Sequence, residues 1–471
     1  MNLQHIAIPL HGKMVNRSLH SKKLLEKFHA QGLEPVFYVE KSVLPSGNPN
    51  YAELHSEQYQ QILKKPFMQL SSNLRWFMVK TQSTESRIRN MISDAVWSAD
   101  NLHQALLKAM SLNILRNAKF LSTFLSIGEN FYCKDKIHAE SWKQNKIECV
   151  LVSGIGSRDF EIGGLFAKEA FKQNIAVVST ITNYDNLLSK GYRSFVPDFL
   201  AVWSEKMRQQ AIKFMDIPAS RIVITGPTVF DRYFEPLQET RNEFLSRLGL
   251  DPSQKTLFYA GHTSIVTYFD FLSLVMNFRK PGGVLEKCNL IIRPYPHAKV
   301  LDWAGLRFFK AKLAELANVY ISDPLESSSD TFNLLSNNQD EKSSDELHSI
   351  LKYSDVMINY FSTLGLEAAI CDLPTIHIGY DKFTYQISPM AWSSTGARNA
   401  HNQDPQRRAA SRVVGSDAEL ETALTAYLEN RSLDHEARYE YALSECGHLD
   451  GKATERLASL VVNAINKKRK Q

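Results

Sequence analysis

Twice along this chain, short apolar runs of strand length alternate with longer stretches patterned as helices. That alternation, more than any single motif, restricts the fold to α/β architecture with parallel sheets covered on both faces. The first series runs through the strand-like segments His5–Leu10, Pro35–Val39, Cys149–Val152, Ile175–Ser179, Leu200–Trp203 and Arg221–Thr225. The second contains Thr256–Ala260, Asn289–Arg293, Val319–Ser322, Val356–Asn359 and Thr375–Ile378. A charged stretch from Asp231 to Lys255 separates them and is read as the domain junction. At 471 residues the chain exceeds what one hydrophobic core supports, so two domains are expected. The reading is an N-terminal Rossmann-like domain over 1–240, a C-terminal one over 241–415, and C-terminal helices over 416–471 packing back across both.

Residues 51–128 interrupt the first series. They show no clear strand and read as a helical insert rich in Lys, Arg, Leu and Phe. Residues Glu326–Ser344 are dense in Ser, Asp and Asn and read as a loop. A net charge of +5 permits an anionic partner without requiring nucleic acid. The five cysteines are scattered, with no close pair, so neither a zinc site nor a disulfide framework is indicated. No signal peptide and no membrane-spanning run is visible, and the expected location is cytoplasmic.

In doubly wound sheets ligands collect at the carboxyl ends of strands, so the residues just after each strand carry the most information. Asp355-Val-Met-Ile-Asn-Tyr360-Phe-Ser-Thr-Leu-Gly365-Leu-Glu367 places a strand, a turn and a helix in sequence. Ser362 and Thr363 sit where hydroxyls cap a helix and where free N–H groups and the positive helix end suit a phosphate. Glu367, in the first turns, could accept from ribose hydroxyls. A plain cap with a favourable acid nearby fits the same residues. Arg293-Pro-Tyr-Pro296-His297 follows another strand, and its two prolines stiffen the turn. Arg293 offers bidentate phosphate binding and His297 a hydrogen bond or proton, unless both are incidental surface charges. The Gly154-Ile-Gly156 turn lacks the third glycine of a dinucleotide fingerprint, which argues against NAD.

Together these runs resemble the C-terminal domain of GT-B glycosyltransferases. More narrowly they resemble the superfamily of CDP-glycerol glycerophosphotransferases, capsule polysaccharide transferases and non-hydrolysing UDP-GlcNAc 2-epimerases. Ser362-Thr363-Leu-Gly-Leu-Glu367 matches that superfamily's hydroxyl turn followed by Glu, whereas Arg293 stands before Pro294 where relatives carry His. The order Asn183-Tyr-Asp-Asn186, Pro197-Asp198, Trp203 and Gly226-Pro-Thr-Val-Phe-Asp231 is similar to bacterial surface-polysaccharide glycosyltransferases.

The resemblance implies a donor site made by Arg293, His297, Ser362, Thr363, Glu367 and Gly226, and an acceptor site made by Asn183, Asn186 and Lys190. It implies two domains facing a cleft, an inverting transfer from a nucleotide sugar as co-substrate to a glycan or lipid-linked acceptor, and no bound cofactor. No carboxylate cluster reads as a Mg²⁺ site. His11, directly after the first strand, is the first candidate for the base that takes the acceptor proton. Asp185 competes with it, and Glu161 with Asp159 forms a third candidate pair. A phosphoalcohol transferase, a 2-epimerase and a non-catalytic nucleotide-sugar binding protein remain alternatives. Leu106–Leu125 mixes Lys108, Arg116 and Lys119 with bulky apolar residues, which fits either an anionic membrane surface or a packed helix with a basic edge.

Overall fold

The computed structural model describes residues 3–11, 18–79, 81, 119–133, 136–156, 161–262, 265–295, 304–322, 337–380 and 404–470. The chain divides into two compact units. One comprises Met1–Asp231, Asn333–Asn337 and Ser444–Gln471; the other comprises Arg232–Phe332 and Asn338–Leu443. Each holds a wholly parallel sheet, as the two series of apolar strands require.

The first sheet has strands β1 (Gln4–Pro9), β2 (Leu33–Val39), β3 (Tyr51–Glu53), β4 (Ile147–Ser153), β5 (Ala176–Thr180), β6 (Phe199–Val202) and β7 (Ile222–Ile224). Their order is β3-β2-β1-β4-β5-β6-β7. The chain leaves β1 toward one edge and returns at β4 on the other side, so the switch point lies between β1 and β4. β3 is a correction to the sequence reading, which found no clear strand within residues 51–128. Three residues are too few to show alternation, and they become a strand only by pairing with Phe37–Val39.

Five helices of this unit matter below: α1 (Lys22–Ala30), α2 (Pro66–Phe77), α3 (Leu121–Tyr132), α4 (Glu161–Lys172) and α5 (Asn186–Ser189). Part of the helical insert is thus observed as α2 and the start of α3. A helix from the far end of the chain, Ala453–Arg469, completes the core. Its Leu457, Leu460, Val461, Ala464 and Ile465 recur at helical spacing and pack with Ile6, Ile8, Leu151 and Val178 of the sheet. Asp231 anchors its start, with the carboxylate accepting from the backbone N–H groups of Ala453 (2.9 Å) and Thr454 (2.8 Å). Gly226, at φ +85°, passes so close that an added Cβ would lie 3.2 Å from that of Ala453.

The second sheet has β8 (Lys255–Ala260), β9 (Cys288–Arg293), β10 (Val319–Ile321), β11 (Val356–Asn359), β12 (Thr375–Ile378) and β13 (Arg412–Val414), in the order β10-β9-β8-β11-β12-β13. Its switch point lies between β8 and β11. β13 is only three residues long and begins with Arg412, which hides it in the sequence; it is recruited by pairing with Ile376–Ile378. Three of its helices are α6 (Asn337–Tyr353), α7 (Leu364–Ile370) and α8 (Asp417–Glu429). Helix α6 begins inside the polar stretch read as a loop, because its later turns bury Leu347, Ile350 and Leu351 and carry the polar first turns with them. Helix α8 packs on the second sheet through Leu420, Ala423, Leu424 and Tyr427. We denote Ala453–Arg469 α9.

Candidate active site

In the first unit, the loops after β1, β4 and β5 lie side by side at the carboxyl edge of the sheet. His11 follows β1 by two residues. Its Nε2 atom is buried and has no hydrogen-bond partner among the described residues. Burial lowers its pKa to about 4, against the opposing effect of a hydrogen bond to its own backbone, so the ring is neutral near pH 7. Helix α4 crosses directly over it. A Cβ on Gly163 would stand 3.1 Å from His11 Nε2 and 3.7 Å from the Ser153 carbonyl oxygen, so the absence of a side chain there admits the ring.

Ser153 closes β4, and its hydroxyl is also buried without a partner. The ends of β4 and β5 are stitched together: Gly154 N–H donates to the Thr180 carbonyl (2.7 Å), and Ser179 Oγ–H donates to the Gly154 carbonyl (2.9 Å). After β5, Asp185 stands at the start of α5. One carboxylate oxygen accepts from Ser189 Oγ (2.9 Å), and the other, Oδ1, is buried with no partner. Asn186 is buried and donates to Thr182 Oγ1 (3.0 Å), while Asn183 Oδ1 accepts from the Tyr184 N–H (2.9 Å). Both asparagines therefore shape the loop. The Lys190 backbone abuts the β4 loop, since a Cβ on Gly156 would lie 2.7 Å from the Lys190 carbonyl oxygen.

The β1, β4 and β5 edge thus collects three buried polar atoms left unsatisfied by the described residues: His11 Nε2, Ser153 Oγ and Asp185 Oδ1. Such atoms cost free energy unless a ligand or water completes them. Of these three residues the sequence reading named His11 and Asp185 and missed Ser153. The signal was present, because Ser153 is the last residue of a strand flanking the switch point. Glu161 is the first residue of α4; its side chain, like Asp159, lies outside the described residues.

The second unit is organised differently. Phe361 follows β11 with φ +59°, a left-handed conformation unfavourable for a bulky residue. Its ring stacks on His377 at 4.8 Å. Its N–H donates to Asn359 Oδ1 (3.0 Å), which also pairs with His377 Nδ1 (2.5 Å). Burial, with the Arg407 charge adding to it, holds the His377 pKa well below its ordinary value. Ser362 Oγ accepts from the Leu364 N–H (3.2 Å), and its carbonyl accepts from Gly365 N–H (3.1 Å) and Arg407 (3.0 Å). Thr363 forms no side-chain cap bond. Glu367 is buried and accepts a hydrogen bond from Tyr233 Oη–H.

Arg293 ends β9, but its guanidinium is turned into the protein. It donates to Ser322 Oγ (2.5 Å), Ser343 Oγ (2.6 Å) and the Ser343 carbonyl (3.1 Å), with Glu346 at 3.6 Å. Ser362 and Glu367 are therefore united on one turn and helix, Arg293 is occupied by α6 and β10, and Gly226 belongs to the first unit against α9. His297 lies outside the described residues. Among the described residues no group of His, Cys, Asp and Glu is arranged to hold a metal ion.

No family model matches the chain, and no curated protein sequence matches it. Its fold, however, is known. The S. aureus MnaA structure determined with UDP superposes with a TM-score of 0.50 at 12% identity, covering 98% of this chain and 97% of that one. A Listeria monocytogenes protein described as a UDP-N-acetylglucosamine 2-epimerase gives a TM-score of 0.50 at 11% identity, covering 99% and 98%. A partial likeness to the wall teichoic acid polymerase TagF spans 71% of this chain and 77% of that one, with a TM-score of 0.42. Two parallel α/β units of this kind are the GT-B-like architecture, as the sequence resemblance implied.

Proposed function

We propose that this chain is a glycosyltransferase of GT-B fold that moves a sugar, with inversion, from a nucleotide-sugar donor to a hydroxyl of a glycan or lipid-linked acceptor. The observation that supports this reading most is the set of three unsatisfied atoms at the β1, β4 and β5 edge. His11 is neutral, so Nε2 is available to take a proton. Asp185 Oδ1 accepts a hydrogen bond, and the Ser153 hydroxyl donates or accepts one. A sugar bearing neighbouring hydroxyls would complete all three, with the reacting hydroxyl on His11. In the second unit, the Ser362 turn would receive the donor diphosphate, and Glu367, oriented by Tyr233, would accept from the ribose. Surface-polysaccharide synthesis is the setting in which such a donor and acceptor meet.

A second reading, a nucleotide-sugar 2-epimerase, is favoured by the whole-chain fold likeness to the S. aureus and Listeria structures. The two separate in one experiment. The purified chain is first screened by thermal shift against UDP-, GDP-, CDP- and CMP-sugars and CDP-glycerol. The stabilising donor is then incubated with and without a glycan acceptor and followed by NMR. Nucleotide release that depends on acceptor supports transfer, an acceptor-independent C2 epimer supports the second reading, and stabilisation by CDP-glycerol alone would replace the sugar donor with a phosphoalcohol.

A further inference from the structure

Helix α3 is built inside out. Its single charged residue, Glu129, is buried, accepting from Arg75 Nε (2.8 Å) and Ser71 of α2 and paired with Lys168 of α4. Ser122 and Ser126 face the same polar interior, where Arg75 donates to the Ser122 carbonyl (3.2 Å) and to Ser126 Oγ (2.8 Å). Leu125 packs inward with them, but four bulky apolar residues point the other way. Phe120, Phe124, Ile127 and Phe131 are 70%, 68%, 64% and 63% exposed. Their spacing of four, three and four residues forms one stripe, roughly 16 Å long at the α-helical rise. Leu70 on the neighbouring α2 is also exposed. A contiguous stripe of this size differs from the scattered exposed apolar residues of any protein surface.

The stripe is flanked by lysines. Neither α2 nor α3 carries an exposed acid. Lys119 precedes the stripe, reaching the Lys213 carbonyl (3.2 Å) and Asp216 (2.9 Å). At the other end Lys172 caps α3 through the Asn130 and Cys133 carbonyls, and exposed Lys64 and Lys65 lead into α2, whose Phe67 stacks on Tyr132 at 5.8 Å. The stripe is thus an exposed apolar ridge on one helix face with lysines near both ends.

We propose that α3 docks the first unit onto an anionic lipid surface. The helix lies flat, with Phe120, Phe124 and Ile127 in the headgroup–acyl boundary. Lys64 and Lys65 extend their stems along the apolar phase and meet lipid phosphates. A ridge inserts into a fluid plane with no preformed groove, and the lysines select the sign of that plane. Among the described residues no helix is long and apolar enough to cross a membrane, so the contact is one of surface.

The full chain is sedimented with vesicles of phosphatidylcholine alone and with phosphatidylglycerol added. Binding is expected with the anionic vesicles, at least about tenfold above the zwitterionic ones, and weakening with salt. Phe124→Glu with Ile127→Glu should abolish it while leaving the melting temperature unchanged. Lys64→Glu with Lys65→Glu should weaken it without touching the stripe. Phe308→Glu, at an exposed aromatic of the second unit, should have no effect. Absence of vesicle binding, binding that survives the α3 double variant, or a double variant that only dissolves an oligomer would each overturn the proposal, the last by making the stripe a protein interface. None of these readouts depends on catalysis.

Discussion

The two units differ in how the candidate site residues at their sheet edges are held. At the β1, β4 and β5 edge of the first, His11, Ser153 and Asp185 keep polar atoms that no described residue satisfies. In the second, Ser362 and Glu367 after β11 and Arg293 at the end of β9 are held by Arg407, Tyr233 and Ser343. An edge with unsatisfied groups is shaped for a ligand that supplies the missing partners. The second edge keeps Asn359 Nδ2 without a partner among the described residues, but Ser362, Glu367 and Arg293 are already held, which suits presenting backbone N–H groups and a fixed carboxylate. Under the transfer proposed above, the first edge would meet an acceptor that gives up a proton and the second a donor that is gripped without reacting at the grip.

The contrast can be broken most directly at His11. His11→Gln keeps a polar group but no base, and kcat should fall about 10²–10⁴-fold with the melting temperature nearly unchanged. An equal fall in stability would make His11 a packing residue. Arg293→Ala should do the reverse. It strands Ser322, Ser343 and Glu346, and urea denaturation should register a loss of about 1–3 kcal/mol. If donor KM rises with no stability loss, Arg293 binds the donor after all.

A pH titration sharpens the same difference more gently. Burial lowers His11, and burial with Lys352 and Arg232 lowers His348, each to about 4 from an ordinary 6.5. Both groups take up protons in the unfolded chain first. The stability they contribute is therefore complete above about 6.5 and is lost as pH falls toward 4. The acid limb of kcat/KM should likewise fall with an apparent pKa well below 6.5, as a pH–rate profile would record. The smallest effect is expected from Ser153→Ala. Deleting an unsatisfied hydroxyl should change stability by no more than about 0.5 kcal/mol while acceptor KM rises, as measured by initial rates over a range of acceptor concentrations.

Much of the fold was legible because buried parallel strands are short uninterrupted apolar runs, and eleven of those runs are visible by eye. Tyr51–Glu53 and Arg412–Val414 were not, since each becomes a strand only through the neighbour it pairs with. His11 and Asp185 were picked out as polar residues on loops that follow strands, and each keeps one buried atom without a partner among the described residues. What could not be read was satisfaction. Nothing in Arg293-Pro-Tyr-Pro296-His297 reveals that Ser343, fifty residues on, occupies the guanidinium, nor that Tyr233 reaches Glu367. Gly163 was equally silent, because its value lies in the side chain it lacks opposite His11.

Helix α9 carries one more consequence. It fills the core of the first sheet against Leu151 and Val178, yet a ribosome makes it only after every strand of the second unit. During synthesis the first sheet must wait with an apolar face open while its neighbour is translated and folds. Asp231 waits with it, a buried carboxylate whose two N–H partners do not yet exist. The nascent chain is therefore an expected client for a holding chaperone, and a translational stall before Ala453 leaves the first unit incomplete however well the second has formed.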